Sequence, residues 1–162
     1  MSDPISLRAA VVVASNRAAS GVYADETGPL IVEWLRGQGF ACDDPAVVRD
    51  GDPVREAIAA AVADRARVVL TTGGTGLTPT DRTPEATAPL LDREVPGIAE
   101  AIRAAGVAKG VPTAMLSLGL AGISGDCLVI NLPGSRGGVR DGLAVLEPVL
   151  RHAVEQVVGS DH

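Results

Sequence analysis

The stretch Val68-Val69-Leu70-Thr71-Thr72-Gly73-Gly74-Thr75-Gly76 decides the fold. It passes from a continuous apolar run to hydroxyls and then to glycines. A short apolar run closed by a turn reads as a strand buried on both faces, and such strands belong to parallel sheets. Leu7–Ala14, Ala114–Leu118 and Cys127–Leu132 share the pattern. Phe40–Val48 is weaker, because Asp43, Asp44 and Pro45 interrupt it and leave only Ala46–Val48 as a convincing strand.

Helical patterns fill the intervals. Leu30, Ile31, Trp34 and Leu35 share one face behind Pro29, and Val54, Ile58, Ala61 and Val62 repeat behind Asp52 as N-cap and Pro53 at the first helical position. Thr83-Pro84-Glu85 opens another helix, with Thr83 as its cap, and Ile98, Ala101, Ile102 and Ala105 form one that Gly106 can end. The last pattern, Leu143 to Val157, contains Pro148. Its missing N–H costs about 3 kcal/mol inside a helix, so a break is predicted near Glu147. Strands alternating with helices predict an α/β fold, a three-layer αβα sandwich around a mostly parallel sheet. One domain covers residues 1–162, with flexible ends at about 1–6 and 159–162.

Hydrophobic residues make up 46% of the 162, yet Trp, Tyr and Phe occur once each, so the core is aliphatic. The net charge is -6 and the Lys and Arg residues are scattered, which removes the electrostatic footprint of a nucleic-acid binder. Cys42 and Cys127 have neither metal-ligand nor redox spacing and read as buried, reduced thiols. Ala9–Ala14 is too short for a membrane span or a signal segment, so cytoplasmic residence is expected.

Chemistry concentrates where strands end, because ligands of parallel α/β sheets sit at the strands' carboxyl ends. In Thr72, Gly73, Gly74, Thr75 and Gly76, backbone N–H groups can converge on an anion without Cβ obstruction. The loop is neither a P-loop, lacking Gly-Lys-Ser/Thr, nor a dinucleotide fingerprint, since Pro79 occupies its third glycine position. Asp81 follows it. Asp50, in Arg49-Asp50-Gly51-Asp52, also trails a strand, and two carboxylates near phosphates suit Mg²⁺. Pro133, Gly134, Ser135 and Arg136 follow Asn131 and could take a second anion, though Arg136 also reads as a solvated surface residue. Ser15, Asn16 and Arg17 serve equally well as ligand contacts or as turn formers. His152 and His162 belong to no Ser, His and acid arrangement.

Ser15-Asn16-Arg17-Ala18 with Gly21-Val22-Tyr23, the Thr71–Gly76 loop with Asp81 and Thr83-Pro84-Glu85-Ala86-Thr87, and Asn131-Leu132-Pro133-Gly134 together resemble the molybdopterin adenylyltransferase family, over nearly the whole chain. A similar domain occurs in gephyrin. The resemblance implies transfer of AMP from Mg²⁺-ATP to the terminal phosphate of molybdopterin, with release of pyrophosphate, before molybdate is inserted. It implies Asp50 and Asp81 as the essential acids around Mg²⁺, Gly73–Gly76 as the nucleotide cradle, and Ser117 with Asn131–Gly134 on the pterin side. A homotrimer and a molybdate-insertion partner are also implied. Asn16 stands where the family commonly has Asp, and Leu118 where Arg commonly follows Ser. These departures keep open a non-catalytic molybdopterin-binding or carrier paralogue, or a trimeric interaction module.

Overall fold

The computed structural model describes residues 7–21 and 24–159. Most of the expected flexible ends, together with Val22, Tyr23 and His162, lie outside the described residues. At the centre of the sheet, β1 (Arg8–Ala14), β4 (Val68–Thr72) and β7 (Cys127–Leu132) run parallel, with β4 in the middle. Val13 pairs with Thr72, and Thr72 with Leu132, so the three strands end level. Among the described residues the sheet has seven strands. β2 (Ala41–Cys42) and β3 (Ala46–Val48) both pair in parallel with β1, while β5 (Arg93–Glu94) and β6 (Ala121–Ser124) extend the other edge antiparallel.

Because successive strand residues face opposite ways, the apolar runs feed two cores. Val11, Val13, Val68 and Leu70 join the larger one, under α2 (Thr27–Gly37), α5 (Pro96–Ala108), α6 (Arg136–Leu146) and α7 (Leu150–Val157). Val12, Ala14, Val69 and Val129 face the smaller one, under α3 (Asp52–Ala63) and α4 (Thr83–Thr87). Each fully buried Leu, Ile or Val contributes about 1.5–3 kcal/mol, which makes the sheet's two-sided burial the main source of stability. The expected three layers are present. The chain breaks between Leu146 and Leu150 around Pro148, and Cys42 and Cys127 are buried free thiols. Among the described residues no helix is long and apolar enough to cross a membrane.

Four local expectations give way. Ala114–Leu118 is not a strand: Pro112–Leu116 forms a 3-10 turn, and the strand comes later as β6. Ala114 instead fills a notch at Gly106, where an added Cβ would lie 2.5 Å from the Ala114 Cβ. That contact explains why α5 runs through Gly106 to Ala108 rather than ending there. Asp52 is the first residue of α3, and Gly51, at φ +95, holds the cap position with no side-chain bond. Asp52 therefore acts through the positive end of the helix dipole and a 3.6 Å contact with Arg55. Thr83 likewise lies inside α4, because its hydroxyl donates across the fold to the Gly73 carbonyl at 2.9 Å.

Candidate functional site

Parallel strands put their following loops on one edge, and backbone bonds clip those loops together. Ser15 N–H donates to Val48 O at 2.9 Å, Thr83 N–H to Gly74 O at 3.0 Å, and the Thr72 hydroxyl to Pro133 O at 2.6 Å. The glycines are needed for space as well as for their positive φ at Gly73 and Gly74. A Cβ on Gly73 would run into the Ala14 carbonyl oxygen, and one on Gly74 into the Thr83 hydroxyl. The same Gly74 Cβ would lie 2.7 Å from Asp50 Oδ1, and a Gly76 Cβ 2.7 Å from Asp81 Oδ2. The two predicted acids therefore stand against alternate glycines of one loop.

Their surroundings differ. Asp81 Oδ2 accepts from Thr78 N–H at 3.1 Å and from the Thr78 hydroxyl at 2.7 Å, which orders the end of the loop. Asp50 Oδ1 is buried and accepts no hydrogen bond. Desolvation, and then repulsion from Asp81, push the Asp50 carboxyl above its ordinary range. A buried, unsatisfied carboxylate oxygen beside a second acid is a hard-oxygen donor set that fits Mg²⁺, which takes one or two protein carboxylates and keeps its other ligands as water.

Two cavities meet at Gly73, Gly134 and Ser135. The larger, about 600 Å³, runs along Gly73–Leu77 and Asp81 and is walled by Val111, Leu116 and Ser117. The smaller, about 410 Å³, holds Ser15, Asp25, Glu26, Thr27, Thr72 and Arg136. Thr75, Pro133 and Ser117 thus face the larger cavity, as do Ser135 and Gly138 from the start of α6. Asn16, Arg17, Asp50 and Asn131 line neither. Asp50 sits behind Gly74, Arg17 is exposed, and Asn131 is buried in a network of its own. The Asn131 amide donates to the hydroxyls of Thr71 and Thr87 at 2.9 and 3.1 Å, and its oxygen accepts from Leu120 N–H at 2.9 Å.

Residues 10–152 match the sequence family described as "Probable molybdopterin binding domain". The chain belongs to this family. A "Molybdenum cofactor biosynthesis bifunctional protein" of Synechococcus elongatus is 43% identical over 95% of this chain and 48% of its own. The chain spans about half the length of such bifunctional relatives. A "Molybdopterin adenylyltransferase" of Haemophilus influenzae is 37% identical, covering 85% of this chain and 71% of its own. The solved structure of the molybdopterin biosynthesis Mog protein from Mycobacterium ulcerans superposes with a TM-score of 0.89 at 53% identity, over 93% of this chain and 98% of that one.

This molybdopterin-binding domain also positions residues that the sequence did not single out. Asp25 Oδ1 accepts from Gly28 N–H at 3.0 Å at the start of α2, so its carboxylate borders the smaller cavity; the Asp-x-x-Gly spacing ahead of a helix was a readable cue. Arg103 on α5 donates through one guanidinium nitrogen to Ser117 O at 3.3 Å and Gly119 O at 3.1 Å. It holds the Ser117 turn, which Leu118 N–H ties to Thr75 O at 2.8 Å. No local pattern could have signalled that role. The Leu118 side chain is 47% exposed.

Proposed function

We propose that the chain is a cytoplasmic molybdopterin adenylyltransferase. The molybdopterin phosphate oxygen attacks the α-phosphorus of ATP, a P–O bond forms, the α–β bridging P–O bond breaks, and pyrophosphate leaves. The observation that carries this reading is Asp50 Oδ1, buried and unpartnered beside Asp81 at the glycine loop. A buried carboxylate oxygen without a donor calls for a partner, and a cation at the loop would supply one.

Asp50 and Asp81 would hold Mg²⁺. When bound, Mg²⁺ supplies neutralisation of phosphate charge that the two acids would otherwise repel. The N–H groups of Gly74–Gly76 bind phosphate oxygens, while Gly73 N–H is held by Leu132 O at 3.3 Å; the α6 start at Ser135 adds donors, and Arg136 supplies a cation in the adjoining cavity. The apolar wall of Val111 and Leu116 excludes water from one side of the larger cavity, and Ser117 offers its hydroxyl there. Chemistry of this kind rests on positioning and charge stabilisation rather than on a protein nucleophile. A homotrimer is supported by apolar side chains left open at Val111, Met115, Leu116 and Leu118, between 47% and 60% exposed. A molybdate-insertion protein is the partner that would consume the adenylylated product.

Leu118 supports one other reading, a binder or carrier without turnover, since an exposed apolar side chain there offers a phosphate nothing. Incubation with purified molybdopterin, ATP and Mg²⁺ separates the two. Stoichiometric or greater release of pyrophosphate is expected; molybdopterin binding with no release would establish the carrier instead.

A further inference from the structure

Asn16 touches neither cavity, yet its side chain holds the backbone of Asp50: its Oδ1 accepts from Asp50 N–H at 3.0 Å. The local sequence builds this contact. Ser15, at the end of β1, caps α1 (Asn16–Ala19) by accepting from Ala18 N–H at 3.2 Å, and its own N–H donates to Val48 O. The cap turns Asn16 towards the end of β3, where Arg49–Gly51 needs an acceptor for the Asp50 N–H. β1 and β3 are thereby clipped together twice, and the second clip fixes the residue whose Oδ1 stands at Gly74.

Asp would reach the same N–H as well as Asn, because both present a carbonyl-type oxygen at the same distance from the backbone. The difference is charge. An Asp at this position would place a third carboxylate directly behind Asp50, whose Oδ1 already has no donor and which already faces Asp81. With Asn, two unit negative charges meet one divalent cation and balance it. A third would leave one negative charge in excess, which tightens the hold on a cation and loosens it on a triphosphate relative to Asn.

We propose that Asn16 is the positioning residue of Asp50, and that its neutral amide sets the site's balance between divalent-cation affinity and nucleotide affinity. This rests on the reading that Asp50 and Asp81 hold Mg²⁺. It does not require that adenylyl transfer occurs. Asn16 acts through Asp50 and through the field at the loop, and it touches no substrate itself.

Mn²⁺ is the probe: free Mn²⁺ is followed by electron paramagnetic resonance as it is titrated into the full chain, first alone and then with ATP. N16D keeps the acceptor and adds charge, so it is expected to bind Mn²⁺ about tenfold more tightly and the Mn²⁺-ATP complex several-fold more weakly. N16A removes the acceptor without adding charge, so Mn²⁺ binding should weaken roughly threefold or more as Asp50 loses its fixed backbone. Opposite shifts are the signature, since a merely structural role would move both variants the same way. Should N16A fail to fold by circular dichroism, N16D decides alone. Equal or same-direction shifts, or N16D within twofold of wild type, would overturn the inference, as would a wild-type chain that binds no Mn²⁺. A wild-type chain that releases no pyrophosphate while the variants shift oppositely would leave this inference standing and remove adenylyl transfer.

Discussion

The surroundings of Asp50 disfavour its charged form. Burial first and Asp81 second raise its carboxyl, so the folded chain retains that proton more readily than the unfolded chain does. The stability this group contributes is present below its unfolded pKa and lost as pH rises through the folded one. At neutral pH, without cation, the charge is a cost. Asp50→Asn should therefore cut pyrophosphate release about a hundredfold or more while melting no lower than wild type. A melting temperature several degrees below wild type would show that the carboxylate is structural. Asp81→Asn keeps an oxygen for Thr78, so a comparable loss of turnover with an unchanged fold is expected. Turnover within a few-fold of wild type would move the essential role to Asp50 alone. Cys127 is inert for a related reason: burial outweighs Arg67 and a backbone hydrogen bond and pushes its thiol up to about 12. The sign is the same, so its contribution is intact below its unfolded pKa near 9.0 and declines between there and about 12. Iodoacetamide at about pH 8.5 should leave Cys127 unmodified in the native chain and label it once urea unfolds the protein; rapid native labelling would contradict its burial.

β7 is tied to its neighbours by more than its ladder. Asn131, two residues before the Pro133 turn, joins β4 through Thr71, α4 through Thr87, and the approach to β6 through Leu120 N–H. Thr87 in turn donates to Thr83 O at 2.7 Å, and Thr83 to Gly73 O, so the network ends at the glycine loop. A buried network of this kind is stable because each member has a partner within it. Asn131→Ala would strand these partners, at about 1–3 kcal/mol for each buried group left unpaired. Urea unfolding should show a loss of roughly 2–5 kcal/mol, the upper end being large for a single change; a loss under about 1 kcal/mol would mean that water replaces the amide. The elements that local pattern predicted well are those whose burial is two-sided or whose ends are local. β1, β4 and β7 carry near-continuous apolar runs because both faces are covered, and Pro148 breaks the last helix by its own covalent geometry. Ala114–Leu118 misled because an apolar run announces burial without naming the partner, and here Met115 and Leu116 remain open beside the cavity.

For the molecule as a whole, the exposed apolar ridge along the 3-10 turn is the surface most in need of cover. Met115 is 60% exposed and lies outside the larger cavity, so Met115→Glu should dissociate the proposed homotrimer while sparing that cavity. Sedimentation would show it, and a wild-type chain that is monomeric at micromolar concentration would end the trimer. Local sequence was enough to set the layer architecture, because hydrophobic periodicity and Pro and Gly punctuation act over a few residues. It also determined that Asp50, Asp81, the glycine loop and the Pro133 turn share one edge, because parallel strands all deliver their next loop to the same side of the sheet. What each of those groups meets there depends on the packed fold. Asp50 Oδ1 is buried without a donor and its backbone N–H is held by Asn16 thirty-four positions earlier, Thr83 gives its hydroxyl to Gly73 rather than to a helix end, and Asn131 turns inward to Thr71 and Thr87. Each is a contact between residues well separated in the chain, and no local pattern encodes it, since a polar side chain takes whichever partner the packed fold brings within reach.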